Sequence, residues 1–564
     1  MKITTYTILM LTIIGLSNTS NAQTFQWAKQ MGGAADYDIG ISIATDVSGN
    51  VYTVGNFGTT ADFDPGPGTF YLTSAGANDV FISKVDPSGN FVWAKRIGGV
   101  DTDEGLAIAL DPSGNVYATG VFRVTADFDP SAGVFNLTSA GDADIFILKL
   151  DASGNFLWAK QMGGIVNDFG FSIALDASNN VYATGSFGDT ADFDPGIGTF
   201  DLISAGNTDN FVSKLDSNGN FLWAKQLGGT DDDDSYAIAV DAIGNVYTIG
   251  TFYATADFDP GVGTYNLTAV GQYDIFISKL DASGNFSWAK QIGGAMSDEG
   301  YAIAVDASGN VFTTGSFAGI VDFDPGAGTF NLTAGLGNLD VFVSKLDVSG
   351  NFLWARQFGG MNLPDGGQGR SIALDAFNNV YTTGFFTGTV DFDPGAATFN
   401  LTSAGAYDIY ISRLDAYGNF VWAINMGGTD YEVGRGLALD TTGNVYSTGA
   451  FGGTADFDPG VGIFNLTTGF GNGDIYISKI GNTITGISEP SNSFTVNIYP
   501  NPTNRLIHFT SLANVQLMTI TGQVIASNKS VMMLDISEIP QGIYFILLTD
   551  SKGEVLKTGK IVKE

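Results

Sequence analysis

Cysteine is absent from the 564 residues, which excludes disulfides, thiolate nucleophiles and cysteine metal sites. The single histidine, His508, lies outside the repeated part of the chain; histidine-dependent triads and histidine metal sites are thereby removed from that part. Basic residues are scarce, with Lys+Arg 24 against Asp+Glu 58 and a net charge of -34. A surface this acidic repels phosphates and anionic membranes, so no nucleic-acid partner is expected, and cations or basic partners are favoured. Proline is also rare, 15 residues against 76 glycines, and aromatics make up 12%. That composition fits many turns between short aromatic-rich strands. The hydrophobic fraction of 44% supplies a core and argues against disorder.

Long apolar runs are missing beyond residues 8–16, and that one is too short to span a bilayer. With Lys2 before it and the small residues Ser20 and Ala22 after it, it reads as a signal peptide over residues 1–22, leaving Gln23 as the mature start. A protein exported through the periplasm, without a membrane span, is expected.

What is present is a period. All seven tryptophans stand in one recurring phrase, clearest as Phe156-Leu-Trp-Ala-Lys-Gln-Met-Gly-Gly164. Trp27, Trp93, Trp158, Trp223, Trp288, Trp354 and Trp422 are spaced by 66, 65, 65, 65, 66 and 68 residues. A fixed period of this kind decides the fold before any local signal does. Within one period, short runs at 172–176, 181–185, 210–216 and 220–226 are bounded by turn residues, the signature of four strands joined by hairpins. Both faces of these strands are apolar or small, so each sheet must lie between other sheets. Four-stranded sheets repeated radially are the blades of a propeller.

The array opens with a tryptophan strand alone, residues 25–29, and ends with a third strand alone, residues 474–479. The first strand is therefore expected to complete the last blade, closing the ring and removing its edges. The fold expected is all-β: a seven-bladed β-propeller over residues 23–480 closed by its N-terminal strand, a linker over 481–493, and a small β-sandwich over 494–564.

Two resemblances follow from particular residues. Asp306-Ala-Ser-Gly-Asn-Val-Phe-Thr-Thr-Gly315 and Asp281-Ala-Ser-Gly-Asn-Phe-Ser-Trp288 resemble the bacterial β-propeller (SBBP-type) repeat, found in secreted and surface proteins mostly without assigned activity. Ile498-Tyr-Pro-Asn-Pro502, Leu517-Met-Thr-Ile-Thr-Gly522, the run from Leu534 to Tyr544 and the terminal Gly559-Lys-Ile-Val-Lys563 resemble the type A sorting domain of type IX secretion. The second resemblance implies recognition by the type IX secretion machinery, passage across an outer membrane, and removal of this domain on export. It places the mature protein outside the cell or on its surface.

In a four-stranded meander, the tight Asp-x-Ser-Gly-Asn turns fall on one face of the disc. The long second-to-third connections and the links between blades fall on the other, and length variation on one face of a repeat array marks a binding surface. Two acidic features share that long-loop face. Asp-Phe-Asp-Pro recurs at Asp62/Asp64, Asp127/Asp129, Asp192/Asp194, Asp257/Asp259, Asp322/Asp324, Asp391/Asp393 and Asp456/Asp458. Residues two apart in an extended chain point the same way, so each pair presents two carboxylates together, as a hard cation such as calcium requires. The same residues also describe a turn, with aspartate capping, proline presetting φ and glycine following. The second feature is the acidic link after each Gly-Gly, such as Asp101/Asp103/Glu104 and residues 231–234; it reads either as a solvated loop or as part of the variable surface. The longest link carries an insertion at 361–368.

Catalysis finds little support, because carboxylate pairs repeated in every blade are unlike a unique catalytic pair. The leading expectation is a non-enzymatic binding or adhesion module for a glycan or protein ligand, requiring no cofactor, with calcium as a candidate stabilising ion. The alternatives are a carbohydrate-active enzyme working with propeller carboxylates, or a purely structural surface protein.

Overall fold

The computed structural model describes residues 23–33, 37–335, 339–359, 366–469, 473–481, 498–499, 502–519, 524–549 and 555–563. The expected signal peptide, the linker and residues 361–365 of the insertion lie outside these. No helix occurs among the described residues, and none is long and apolar enough to cross a membrane. The chain divides into two compact units, one over residues 21–484 and one built on 485–564.

In the larger unit the repeat is a four-stranded antiparallel meander. Asp168–Leu175 pairs with Val181–Asp192, which pairs with Asp201–Leu215, which pairs with the tryptophan strand Phe221–Gly229. Turn chemistry sets the hairpins. Asp216 Oδ1 accepts the N–H groups of Asn218 (2.8 Å) and Asn220 (2.9 Å), and Oδ2 accepts the Asn220 side-chain amide at 2.8 Å. Gly219 then takes φ +78°. At Asn179 and Asn378 asparagine occupies the same left-handed position, φ 59° and 61°, as the short polar side chain allows.

The strands are buried on both faces, and the cores straddle neighbouring units. Tyr52, Val54 and Ile82 pack with Ile108, Val116 and Phe146 of the next unit. Met31, Val51 and Phe57 pack in the same way with Tyr446, Ile475 and Ile477. The first strands of the units stand side by side in chain order, and Glu432–Leu439 packs against Ile39–Thr45. Thr24–Gly33 pairs with Asp474–Gly481, Ala28 opposite Ser478, the exchange expected from the unpaired ends. The hydrogen-bonded ladder does not run continuously around the unit, however. It is divided into sheets of ten, fourteen, four and six strands, with one two-stranded piece.

The breaks fall where the second strand of a unit is split in two, as between Val116–Phe122 and Thr125–Asp127; the seams are where the ladder passes from one unit to the next. Gly163 and Gly164, closing one tryptophan strand, pair only with Asp192 and Ala191 of the next unit. A Cβ on Gly164 would lie 2.0 Å from the Thr190 carbonyl oxygen. One on Gly163, at φ +150°, would lie 2.8–3.0 Å from atoms of the Asp144 and Asp168 carboxylates. Glycine is required at both places by close approach. Buried Asp168 accepts the N–H of Gly164 at 2.6 Å and of Gly188 at 3.2 Å. The same buried acid recurs as Asp38, Asp103, Asp233, Asp298 and Glu432, accepting from Gly33, Gly99, Gly229, Gly294 and Gly428 at 2.6–2.8 Å. The acidic links are thus not simply solvated loops; one carboxylate in each of these six pins a seam.

The smaller unit contains five antiparallel strands. Leu506–Met518 pairs with Ile498–Tyr499, Val524–Asp535 and Gly542–Thr549, and the last of these pairs with Val555–Lys563. Ile507, Val515, Leu517, Leu534, Ile546 and Ile561 form its core.

The seam acids make stability depend on pH. Burial pushes Asp103, Asp168, Asp298 and Glu432 up to about 7 and Asp233 up to about 8, against the lowering by their backbone N–H donors. Each holds a proton in the folded chain that the unfolded chain, with aspartate near about 3.9, has already released. Their contribution is complete below about pH 4 and is lost as pH rises through 7 to 8. The turn aspartates Asp86, Asp151 and Asp216 behave oppositely. Burial is the largest single influence and raises them, but the hydrogen bonds from the following asparagine and backbone together prevail and hold them below the ordinary range. Their contribution is present above about pH 4 and lost in stronger acid. Urea unfolding followed by tryptophan fluorescence, which reports the repeat unit alone, should give its highest midpoint between about pH 4 and 6 and a lower one at about pH 8. A midpoint that rises from weakly acid to weakly alkaline pH would refute this assignment.

Candidate functional site: the central channel

The first strand of each unit lines the middle of the array, and each contains one β-bulge. The register slips between Gly40 and Ser42, Gly105 and Ala107, Gly170 and Ser172, Ser235 and Ala237, Gly300 and Ala302, Gly369 and Ser371, and Gly434 and Gly436. A bulge leaves one residue outside the ladder and re-aims its side chain. The residues so released are Ile41, Leu106, Phe171, Tyr236, Tyr301, Arg370 and Arg435, and all of them line one cavity of about 490 Å³. They lie near the start of their strands, on the side of the inter-unit links.

The ring has two sectors. Phe169 stacks on Phe171 at 5.7 Å, Phe171 meets Tyr236 at 5.6 Å, and Tyr236 meets Tyr301 at 5.6 Å. The Arg370 guanidinium continues this arc, 3.9 Å from the Tyr301 ring centre and 5.8 Å from that of Phe385, within cation–π range. Its Nη2 donates to Gln368 Oε1. The Tyr301 hydroxyl donates to Glu299. Burial pushes Tyr236 up to about 12 and raises Tyr301 further, against the lowering effect of Arg370, so both hydroxyls stay protonated at neutral pH. Burial first, then the like charge of Arg370, holds Arg435 below the ordinary arginine range. Neither Arg370 nor Arg435 has a carboxylate within ion-pair distance among the described residues, and the Nε of each is buried without a hydrogen-bond partner. The residues lining the cavity include no aspartate, glutamate or lysine.

The fourteen aspartates singled out from the sequence lie elsewhere, at the seams. Oδ1 of Asp62, Asp127, Asp192, Asp257, Asp322, Asp391 and Asp456 accepts the N–H two residues on and the N–H eight residues on, at 2.7–3.1 Å. Oδ1 of Asp64, Asp129, Asp194, Asp259, Asp324, Asp393 and Asp458 accepts the N–H two residues further, at 2.8–2.9 Å. The intervening phenylalanine is buried, Phe193 against Phe187 and Phe211. The structure brings the two aspartates of each pair together as loop-holding acceptors and does not bring the seven pairs into one site. No group of three or more acidic or histidine side chains suited to a metal occurs among the described residues.

Sequence reasoning passed over the ring. The signal that finds it is one variable column: aligned first strands read Gly or Ser, a variable residue, then Ser, Ala or Gly, Ile or Leu, and Ala. The variable residue runs from isoleucine to arginine while its neighbours hardly change.

Known proteins bear on the fold. The beta-propeller repeat family matches residues 26–63, 222–251 and 287–316, and the secretion system C-terminal sorting domain matches 497–564. The chain therefore carries β-propeller repeats of the SBBP type and a type IX sorting domain, and it is a secreted or cell-surface protein handled by that secretion machinery. An uncharacterized WD repeat-containing protein of Acanthamoeba polyphaga mimivirus is 25% identical over 440 residues, 64% of this chain and 31% of the relative. The regulatory protein FlaEY of Caulobacter vibrioides is 24% identical over 245 residues, 42% of this chain and 25% of its own length. The chain thus matches under a third of either relative. Among solved structures, the Neurospora crassa Pan2 WD40 domain aligns over 81% of this chain and 96% of its own, with 11% identity and a TM-score of 0.39. The RRP9 WD40 repeats align over 80% and 100%, again with 11% identity and a TM-score of 0.39.

Asp192→Ala should lower the stability of the repeat unit by about 1–3 kcal/mol, because it orphans two N–H donors. Unfolding in calcium and in a chelator should show the same loss. A loss confined to calcium-containing buffer would make the loop a metal site.

Proposed function

We propose that the chain is an exported, non-enzymatic binding module: a seven-bladed β-propeller, closed by its N-terminal strand, that captures a ligand at its central channel. The observation that carries this reading is the bulge ring. Within first strands otherwise repeated with little change, the residue varies where seven side chains converge on one cavity, and a variable position on a repeated frame is where recognition is placed. Seven blades are supported by the seven tryptophan strands, the packing of Glu432–Leu439 against Ile39–Thr45 and the pairing of Thr24–Gly33 with Asp474–Gly481. Aromatic residues in a concave, partly buried setting supply most of the energy in such sites. Export through the periplasm, with the C-terminal domain addressing the type IX machinery, completes the reading.

The rival, a carbohydrate-active enzyme, is disfavoured by a cavity lining without carboxylates. Calcium takes second place, as a stabilising ion at the Asp-Phe-Asp loops, because backbone N–H groups already occupy one oxygen of each aspartate there.

Glycan and peptide arrays probed with the full chain test this reading. A bound signal should survive Asp64→Asn and disappear in the double variant Phe171→Ser/Tyr236→Ser. Loss of signal in Asp64→Asn with retention in the double variant would move the site to the seams. Turnover of a panel glycoside, abolished by one acidic pair and no other, would establish the enzyme instead.

A further inference from the structure

We propose that the channel binds a small carboxylate-bearing ligand with a flat ring, the carboxylate on Arg370 and Arg435 and the ring against Phe171, Tyr236 and Tyr301. This inference rests on the channel being the binding site and adds the ligand's chemistry.

Charge carries the first part. The protein has a net charge of -34, yet the charged side chains lining the cavity are two arginines and no acid. Of the seven arginines in the chain, Arg96, Arg413 and Arg505 have carboxylate partners, Arg356 donates to carbonyls, and Arg123, which also has no carboxylate partner among the described residues, donates to the Asn167 side-chain oxygen. The channel pair has neither a carboxylate nor a bond to its Nε among the described residues. Two like charges on adjacent strands, partly desolvated and without a counter-ion, destabilise the fold they sit in. An anion between them relieves both the desolvation and the mutual repulsion. A carboxylate suits the planar guanidinium fork, which it can engage through two parallel hydrogen bonds.

Geometry carries the second part. Arg370 is held over Tyr301 at 3.9 Å, so its charge sits at the end of the aromatic arc rather than apart from it. Phe171, Tyr236 and Tyr301, with ring centres 5.6 Å apart and tilted by 55° and 42°, line the cavity and give it an aromatic wall for a flat body whose carboxylate reaches the arginines. The Tyr301 hydroxyl, donating to Glu299, is tied back rather than free to turn. The groups facing the arginines are Tyr37, Tyr301 and Arg370 for Arg435 and, for Arg370, Gln368 of its own strand with Tyr236, Tyr301 and Phe385 of others; Glu299 is engaged by Tyr301. The acidic exterior sets the size. A long polyanion would be repelled by a chain of net charge -34, whereas a small monoanion can be enclosed.

A uronic acid and an aromatic acid share this chemistry, and calorimetry on the full chain separates them. The probes are galacturonate against galactose, 4-hydroxyphenylacetate against its amide, and inorganic sulfate. At least one acid should bind roughly tenfold tighter than its neutral counterpart, and Arg435→Gln and Arg370→Gln should each weaken it by a similar factor. Binding should fade with added salt, and sulfate should bind more weakly than the ring acid. Arg435→Gln should leave the melting temperature unchanged or raised, since it removes an unpaired charge; a purely structural arginine would lower it. Equal affinity for acid and neutral partner, sulfate binding as well as the ring acids, or no acid binding at all overturns the proposal. If array ligands are nonetheless lost in Phe171→Ser/Tyr236→Ser and retained in Arg435→Gln, the channel stands as the binding site and its anionic character falls.

Discussion

The buried carboxylate described at six of the seams is the interaction on which the repeat unit depends. Asp168 has no exposed surface and takes N–H donors from Gly164 and Gly188, so it ties the end of one unit to the middle of the next. A buried acid is tolerable only when its oxygens are satisfied, and here the satisfied partners are backbone groups whose positions define the seam. This requirement explains three sequence features together. The paired glycines must lack Cβ atoms, because one faces the acid and the other a carbonyl. The acid follows at the fourth residue after the second glycine in five of the six described links, Glu432 among them, and at the fifth in Asp38. The Asp-Phe-Asp loop must lie where its first residue pairs with those glycines.

A frame pinned in this way can vary elsewhere without losing its shape. The bulge positions are where it does vary. They sit inside strands rather than in long loops, so the side chains are held by rigid backbone, which is the arrangement a recognition site needs. The tryptophan phrase has a different task. Trp27, Trp93, Trp288 and Trp354 each donate from Nε1 to a turn carbonyl of the next unit, holding the outer part of the seam as the buried acid holds the inner part. Conspicuous repetition therefore marks the scaffold, and the site appears where repetition fails.

Much of the fold was legible because its signals are local or periodic. The tryptophan spacing announced the repeat, the Asp-x-Ser-Gly-Asn turns announced the hairpins, and the unpaired terminal strands announced their mutual pairing. The Asp-Phe-Asp repeat was legible as a turn capped by aspartate. The use of its aspartates as acceptors for N–H groups up to eight residues away depended on a loop closure that alternation alone does not reveal. The acidic links were ambiguous for a related reason. Asp101 is exposed and Asp103 is buried, although nothing in their composition separates them.

By itself, the sequence determined the period, the strand and turn pattern, the exchange of the terminal strand, the poverty in basic and thiol groups, and the two resemblances that the family matches carry. These follow from side-chain alternation, turn stereochemistry and composition, which act over a few residues or simply add along the chain. Tertiary structure alone decided which carboxylates are buried at the seams and which side chains meet in the channel. Ile41 and Arg435 are nearly four hundred residues apart and line one cavity because their strands pack side by side, each bulge turning one residue out of its ladder. No local pattern encodes that convergence; it arises from the side-by-side packing of the first strands of sheets buried on both faces.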